Sequence, residues 1–321
     1  MFSRTTCPVC GGAHAKSYWA LVAPFLRIYA LDRDAPTTTQ LRDCLECGHR
    51  FFRERYTEAE MARLYSGYRG ERYLRIRQAW EPWYSTQVND QNLSAAVIHN
   101  RQQALRELLQ LVGIHSAEGR VLVDVGGDAG QFIPQDLCEE AYVVEASSRK
   151  PIDGVQGLSQ LDALPRPADV VLCLHVLEHL PDPKRFLQGL VASQRLAPGC
   201  MVVLEVPQER IRLGPGLGRT WYANGLCWLA NQRWLVIPLD LASTVARIKI
   251  GWLMAPLFIK QHEHVQFYTA QSLQRLAEGV GLEVVLLLAP QDSQGAGFRG
   301  VIRLVARVPV PGSDAGVVVR A

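Results

Sequence analysis

From residue 119 onward, short apolar runs alternate with stretches of helical periodicity. The segments 121–125 (VLVDV), 141–145 (AYVVE), 169–174 (DVVLCL), 200–206 (CMVVLEV), 283–288 (EVVLLL) and 301–308 (VIRLVARV) each predict a strand. Most of these runs are apolar throughout rather than alternating, the pattern of a sheet covered on both faces. The whole predicts a doubly wound α/β domain over 119–308. The last two strands are separated only by the glycine-rich stretch 289–300, too short for a helix, which predicts an antiparallel pair.

The pattern differs on either side of this alternation. Residues 57–118 predict a helical connector. T57-E-A-E60 is a capping box opening a helix with Met61, Leu64, Tyr65 and Tyr68. A second helix over about 92–112 places Val97, Ile98, Leu105, Leu108, Leu109 and Val112 on one face. Between them, R69-G-E-R-Y-L-R-I-R77 is dense in arginine and reads as a solvated face, with an anion-holding patch as the alternative. Inside the α/β domain the alternation stops over 207–261. This stretch is rich in Trp, Leu and Ile and broken by Arg233, Asp240, Arg247 and Lys249. It predicts an amphipathic, mainly helical cap, with residues 220–260 offering a surface for a hydrophobic substrate or an interface. Residues 309–321 read as a tail.

Composition narrows the class. No stretch of about 18 uninterrupted apolar residues predicts a membrane span. The start, MFSRTTC, has no apolar signal region, which points to a cytoplasmic protein. The net charge of +3, with 15 Arg/Lys against 12 Asp/Glu in the first 118 residues, argues against a nucleic-acid partner. Four of the eight cysteines form two matching knuckles, C7-P-V-C10-G and C44-L-E-C47-G, separated by 33 residues with room for a hairpin. Two CxxC turns, each followed by glycine, predict a four-thiolate zinc ribbon over 1–56 with Cys7, Cys10, Cys44 and Cys47 as ligands. Four protein ligands leave no open position, so the Zn2+ is expected to be structural.

The stretch V123-D-V-G-G-D-A-G130 opens the α/β domain. A dinucleotide fingerprint from Gly126 would need glycine at 128 and 131, where Asp128 and Gln131 stand. A carboxylate there would repel a pyrophosphate. It suits S-adenosylmethionine, which has no phosphate and carries an ammonium and a sulfonium. Asp124 or Asp128 could hold the ammonium. Gly126, Gly127 and Gly130 let the backbone pass close to the ligand, with a helix expected to begin at the loop. Glu145, at the end of the second strand, is placed to accept both ribose hydroxyls. Asp162 either accepts from the adenine amino group or is a solvated loop carboxylate.

These segments resemble class I S-adenosylmethionine-dependent methyltransferases. V121–G130 is similar to their first motif and V144-E145 to their second. DVVLCLHVLEHLPDP (169–183), LAPGCMVVLEVP (196–207) and the segment from His264 to Leu282 follow in the family's order. Asp128 departs from the family's middle glycine. The resemblance implies a seven-stranded Rossmann-like sheet. CPVCG, CLECGHRFF and Y56-T-E-A-E-M-A-R-L-Y65 resemble the zinc-binding methyltransferases that include deoxysugar C-methyltransferases, which implies a small-molecule acceptor such as a nucleotide-linked sugar.

A hard nucleophile needs its proton removed, and histidine is the usual base near neutral pH. His175 follows an apolar strand and should face the cofactor cleft. His179, four positions on, returns to the same side if the turn is helical, with Glu178 beside it; it is either a base or a tie between turn and helix. His264 is expected at the same opening, as a base or as a surface or capping group. Tyr222 binds substrate hydroxyls or packs. A metal cluster of His262, Glu263 and His264 is a weak candidate, since neighbouring side chains diverge on a strand. The rival readings are a zinc-ribbon RNA methyltransferase, which lacks its Pro-Pro-aromatic signature here, and a non-enzymatic zinc-ribbon interaction protein.

Overall fold

The two cysteine knuckles bracket a small sheet in the computed structural model, which describes all residues except 146–148, 210, 213–217, 251–252, 255–258, 291–299, 311–318 and 321. Strand β1 (Phe2–Ser3) precedes the first knuckle. Strands β2 (Ala15–Val22) and β3 (Thr38–Cys44) are the hairpin between the knuckles, with helix α1 (Pro24–Tyr29) set into its turn. Strand β4 (Arg50–Phe52) pairs antiparallel with β3, and β5 (Glu54–Arg55) pairs with β1. The connector folds as α2 (Glu58–Tyr65), α3 (Glu71–Trp80), α4 (Thr86–Asn89) and α5 (Ala95–Leu111). Its capping box is formed as the spacing requires: Glu60 N donates to Thr57 Oγ1 at 3.3 Å, and Thr57 N donates to Glu60 Oε2 at 2.8 Å.

The α/β domain follows with β6 (Val121–Val125), β7 (Glu140–Val144), β8 (Gln156–Leu158), β9 (Ala168–Leu174), α6 (Pro183–Ala192) and β10 (Leu196–Pro207). The cap holds β11 (Ile211–Arg212), α7 (Thr220–Leu229), α8 (Arg233–Ile250) and β12 (Leu253–Met254). Then come β13 (Lys260–Gln261), β14 (Gln266–Phe267), α9 (Ala270–Glu278), β15 (Glu283–Leu288), β16 (Val301–Arg307) and β17 (Val319–Arg320). The main sheet runs β17-β15-β16-β10-β9-β6-β7-β8. Its central pairs are parallel, and β16 runs antiparallel to both β10 and β15, as the short 289–300 link requires. Seven strands are those of the expected sheet; β17, from the segment read as a tail, adds a short eighth beside β15. Within that segment, 311–318 and 321 lie outside the described residues.

Both faces of the sheet are covered, but not by a regular winding. One face packs Leu187 and Leu190 of α6 and Leu273, Leu276 and Ala277 of α9, in a cluster that also takes in Cys7, Cys44, Cys47 and Phe51 of the ribbon. The other face packs Leu105, Leu108 and Leu109 of α5. The helix expected directly after the glycine stretch does not form. Residues 126–134 are turns and irregular chain, and only a single 3-10 turn (Gln135–Leu137) precedes β7. Gly130 is left-handed (φ +74°), and Pro134 lacks the N–H that a helix interior needs. Phe132, Ile133 and Leu137 instead pack as irregular chain against α5, so a connector helix covers a face that the crossover leaves open. Each such buried side chain is worth about 1.5–3 kcal/mol.

The ribbon is not a detached module. Its sheet reads β13-β2-β3-β4-β14, so strands from 260–267 extend it on both edges. Lys260 and Gln261 pair parallel with Leu21 and Val22, and Gln266 and Phe267 pair antiparallel with Phe51 and Arg50. The segment H262-E-H264 is thereby held between two strands of the sheet that carries the cysteine knuckles.

Candidate active site

The glycine stretch lies at the carboxyl end of β6, beside the carboxyl end of β9, where α/β sheets place ligands. Asp124 ends fully buried, and neither of its oxygens meets a hydrogen-bond partner among the described residues. Burial pushes its carboxyl up to about 7 against the pull of Arg101, with Glu145, Glu205 and Asp128 adding to the rise. Gly127 sits directly over this carboxyl: a Cβ there would lie 2.2 Å from Asp124 Oδ2. Gly126 (φ +75°) backs onto the next turn, where a Cβ would lie 2.7 Å from Val176 Cγ2. Asp128 takes a left-handed backbone (φ +59°), a conformation that aspartate tolerates better than most residues. Its N–H donates to Glu145 Oε2 at 3.1 Å, and its carboxylate pairs with Arg149. The turn therefore brings Asp124, Gly126, Gly127, Asp128, Gly130 and Glu145 together. Asp162 lies elsewhere, exposed on a 3-10 turn after β8, with its carboxylate accepting from Ser193 Oγ at 3.5 Å.

An orphaned acid beneath a glycine-rich turn is the acceptor that an ammonium-bearing adenosyl cofactor would need. The raised pKa also has a stability consequence. A carboxyl whose folded value lies above its unfolded one costs stability increasingly as pH rises from about 4 to 7. Asp124→Asn removes that cost. The variant is expected to be about 1–3 kcal/mol more stable than the wild type at pH 8 without ligand, by urea unfolding, while binding S-adenosylmethionine at least tenfold more weakly by calorimetry. A variant that is less stable and binds normally would contradict this placement.

The 175–179 turn is not helical. His179 N donates to Val176 O at 3.0 Å in a tight turn, and His175 is left-handed (φ +57°). His175 points both ring nitrogens at buried carboxylates, Nδ1 at Glu178 Oε1 and Nε2 at Glu205 Oε1, each at 3.1 Å. Burial opposes its charge, but the bonds to Glu178 and Glu205 outweigh this and raise it to about 9. Glu205 also takes Arg101 at 2.8 Å and Arg303 at 2.6 Å. His175 is thus a clamped imidazolium at neutral pH with no free lone pair, which removes the basis for reading it as a general base. Its raised pKa stabilises the fold fully below about pH 6.5 and is lost as pH rises through about 9. Glu178 and Glu205 are held below the carboxylate range and contribute above about pH 4.5. Stability should therefore fall by about 2 kcal/mol between pH 7 and 9.5, a loss that His175→Gln abolishes in denaturant titrations at the two pH values.

Two other candidate histidines converge. His179 and His264 meet edge to face, with ring centroids 4.6 Å apart. His264 Nδ1 bonds Glu209 Oε1 at 2.8 Å, and His179 Nδ1 lies 3.3 Å from Glu263 O. Burial and then the neighbouring His264 lower His179 to about 4, so it is neutral at pH 7. Ligand atoms of Glu178, His179 and His264 lie within 4.8 Å of one another. The consecutive trio expected as a weak metal cluster instead splits: His262 faces Glu81 at 3.6 Å, and Glu263 bonds Tyr73 and takes Arg77 at 3.0 Å. Arg77 is mostly buried and also pairs with Glu81 at 2.7 Å, so the arginine-dense stretch is a solvated face only at Arg72 and Arg75. Tyr222 is half-buried and packs against the clusters of Leu41 and Leu21. In the ribbon, Cys7 Sγ and Cys47 Sγ lie 3.6 Å apart, as do Cys10 Sγ and Cys44 Sγ. A tetrahedron with metal–sulfur bonds of about 2.3 Å has edges of about 3.8 Å, so the four thiols fit a zinc ion.

Tyr73, Arg101, Glu205 and Glu209 escaped sequence reasoning. Glu205 left a signal: a carboxylate inside an otherwise apolar parallel strand is not there for solvent.

No curated protein matches the chain. Among solved structures, the chain is similar to one titled a putative methyltransferase from Bacillus halodurans, at 12% identity and a TM-score of 0.41 over 65% of this chain and 100% of that one. The 1,6-didemethyltoxoflavin-N1-methyltransferase of Burkholderia thailandensis, solved with S-adenosylhomocysteine, gives 15% and 0.40 over 70% and 84%. Magnesium protoporphyrin IX methyltransferase of Synechocystis PCC 6803 gives 13% and 0.39 over 66% and 84%. The family described as "Methyltransferase domain" matches residues 97–287, more than half of the chain. With that match, and a sheet whose α/β strands run in the order three-two-one-four-five-seven-six, the chain belongs to the methyltransferase-domain family and is a class I S-adenosylmethionine-dependent methyltransferase.

Proposed function

We propose that the protein methylates a small polyhydroxylated acceptor, a nucleotide-linked sugar or related intermediate, with His264 as general base and a structural Zn2+ on Cys7, Cys10, Cys44 and Cys47. The cofactor supplies an activated methyl group with its leaving group attached. The Gly126–Gly130 turn, Asp124, Asp128 and Glu145 would hold it. The chain's own task is to align the acceptor and remove its proton.

The observation that carries the reading is the carboxylate–imidazole pair. Glu209 fixes Nδ1 of His264 and so presents Nε2 as the proton acceptor, the division of labour in which a carboxylate orients a base. His264 is a quarter exposed, reachable by a ligand, whereas Tyr73 and Glu263 beside it are buried and hold its segment. The 175–179 turn that carries His179 packs on Gly126 through Val176, so cofactor turn and base share one wall. Polar groups of this mix suit hydroxyls more than a nucleic-acid backbone.

The test is incubation with methyl-labelled S-adenosylmethionine against nucleotide-sugars and, separately, total tRNA and rRNA. Label in a nucleotide-sugar, dependent on His264, is the expected result. Label in RNA alone would replace the acceptor class.

A further inference from the structure

We propose that the α7–α8 pair of the cap docks the enzyme on an anionic lipid bilayer. The two helices leave large apolar side chains in solvent: Trp221 is 68% exposed, Trp228 58%, Trp234 70%, Leu241 42% and Val245 41%. Their spacing is ordered. Trp221 and Trp228 are seven apart on α7; Trp234, Leu241 and Val245 fall at seven and four on α8. Each set therefore shares one helix face. The opposite faces are already occupied, with Leu226, Leu229 and Val236 buried against Leu21. The exposed stripes are thus not the faces that fasten the cap to the protein.

Charge selects the occupant. Residues 211–260 hold six basic residues (Arg212, Arg219, Arg233, Arg247, Lys249, Lys260) and one acidic, Asp240. Asp240 is buried and spent on Lys260, which also meets Glu81 at 2.6 Å. The segment is therefore +5, while the whole chain is +3, so the remaining 271 residues are net −2. Of these basic residues Arg219 and Arg233 are exposed, and a two-fold contact between copies would set this net-positive segment against itself. An anionic bilayer offers both what the tryptophans and what the arginines need: an interfacial zone for indoles and a negative potential worth about 1 kcal/mol per basic residue near the surface. No described helix is long and apolar enough to cross a membrane, so the contact lies in the interface.

The test is flotation of the full-length protein with vesicles of phosphatidylcholine alone or with a quarter phosphatidylglycerol. The wild type should float with the anionic vesicles at least tenfold better than with the neutral ones, and release at 0.5 M salt. Its tryptophan emission should be quenched by brominated lipid. The triple variant Trp221→Ser/Trp228→Ser/Trp234→Ser should stay behind while binding S-adenosylmethionine as the wild type does. Arg219→Glu/Lys249→Glu should weaken flotation and leave cofactor binding unchanged. Three results would each overturn the proposal: no flotation of the wild type, equal flotation of the triple-tryptophan variant, or a wild-type dimer that the triple variant breaks with no vesicle binding in either.

Discussion

His264→Gln should lower kcat for methyl transfer by about 10²–10⁴, leaving the affinity for S-adenosylmethionine within twofold. The magnitude is that of losing a positioned base. The selectivity follows from the geometry, because the side chain faces His179 and Glu209 rather than the Gly126–Gly130 turn. Glutamine keeps a donor toward Glu209 and nearly the same volume, so the thermal midpoint should barely move. Glu209→Gln tests the orienting role separately. It leaves the imidazole in place but removes the carboxylate that fixes Nδ1, and should cost a smaller part of kcat with KM little changed. His179→Gln should cost less than His264→Gln, since His179 is more buried and its Nδ1 is committed to the Glu263 carbonyl. Equal kcat in wild type and His264→Gln, measured under single turnover, would remove the base from this position.

How much of this could be read from the chain depended on whether the signal was local. The strands were legible because a sheet covered on both faces forces runs such as VVLCL to be apolar throughout. The connector was legible because Thr57 and Glu60 make their cap within four residues. The four cysteines were legible because a knuckle is a local object. The helix after the glycines was not, because its expectation came from the usual crossover. Here Gly130 and Pro134 break the helix, and α5, arriving from the connector, supplies the missing cover. The site's electrostatics were less legible still. His175 is adjacent to an apolar strand in both views, but its two acids come from 3 and 30 residues away, and only the fold shows that they occupy both nitrogens. Tyr73 and Arg77 meet Glu263 across 190 and 186 residues, a separation at which no periodicity speaks.

The same long-range closure ties the four-cysteine sheet to the proposed base at His264, and from this comes the second large expected effect. Cys44→Ser/Cys47→Ser should bind no zinc, where the wild type should hold one ion per chain, and should lose methyl transfer altogether. Structural zinc in small domains contributes about 10–16 kcal/mol, so two lost ligands cannot be absorbed by a ribbon of this size. What distinguishes this chain is where the damage goes. Strands β13 and β14, on either side of His262–His264, are the edges of the ribbon's own sheet. His49, fully buried, bonds Gln266 at 2.8 Å, and Phe52 N donates to Val265 O at 3.0 Å. Removing the metal should therefore loosen the segment of the proposed base before it loosens the glycine turn, which sits on β6 in the centre of the main sheet. In protein stripped by a chelator under mild conditions, hydrogen exchange should rise first over 260–268. Catalysis should fall well before cofactor affinity does. If stripped protein kept full turnover, or lost cofactor affinity and turnover together with no added exchange at 260–268, the ribbon would not be what positions His264.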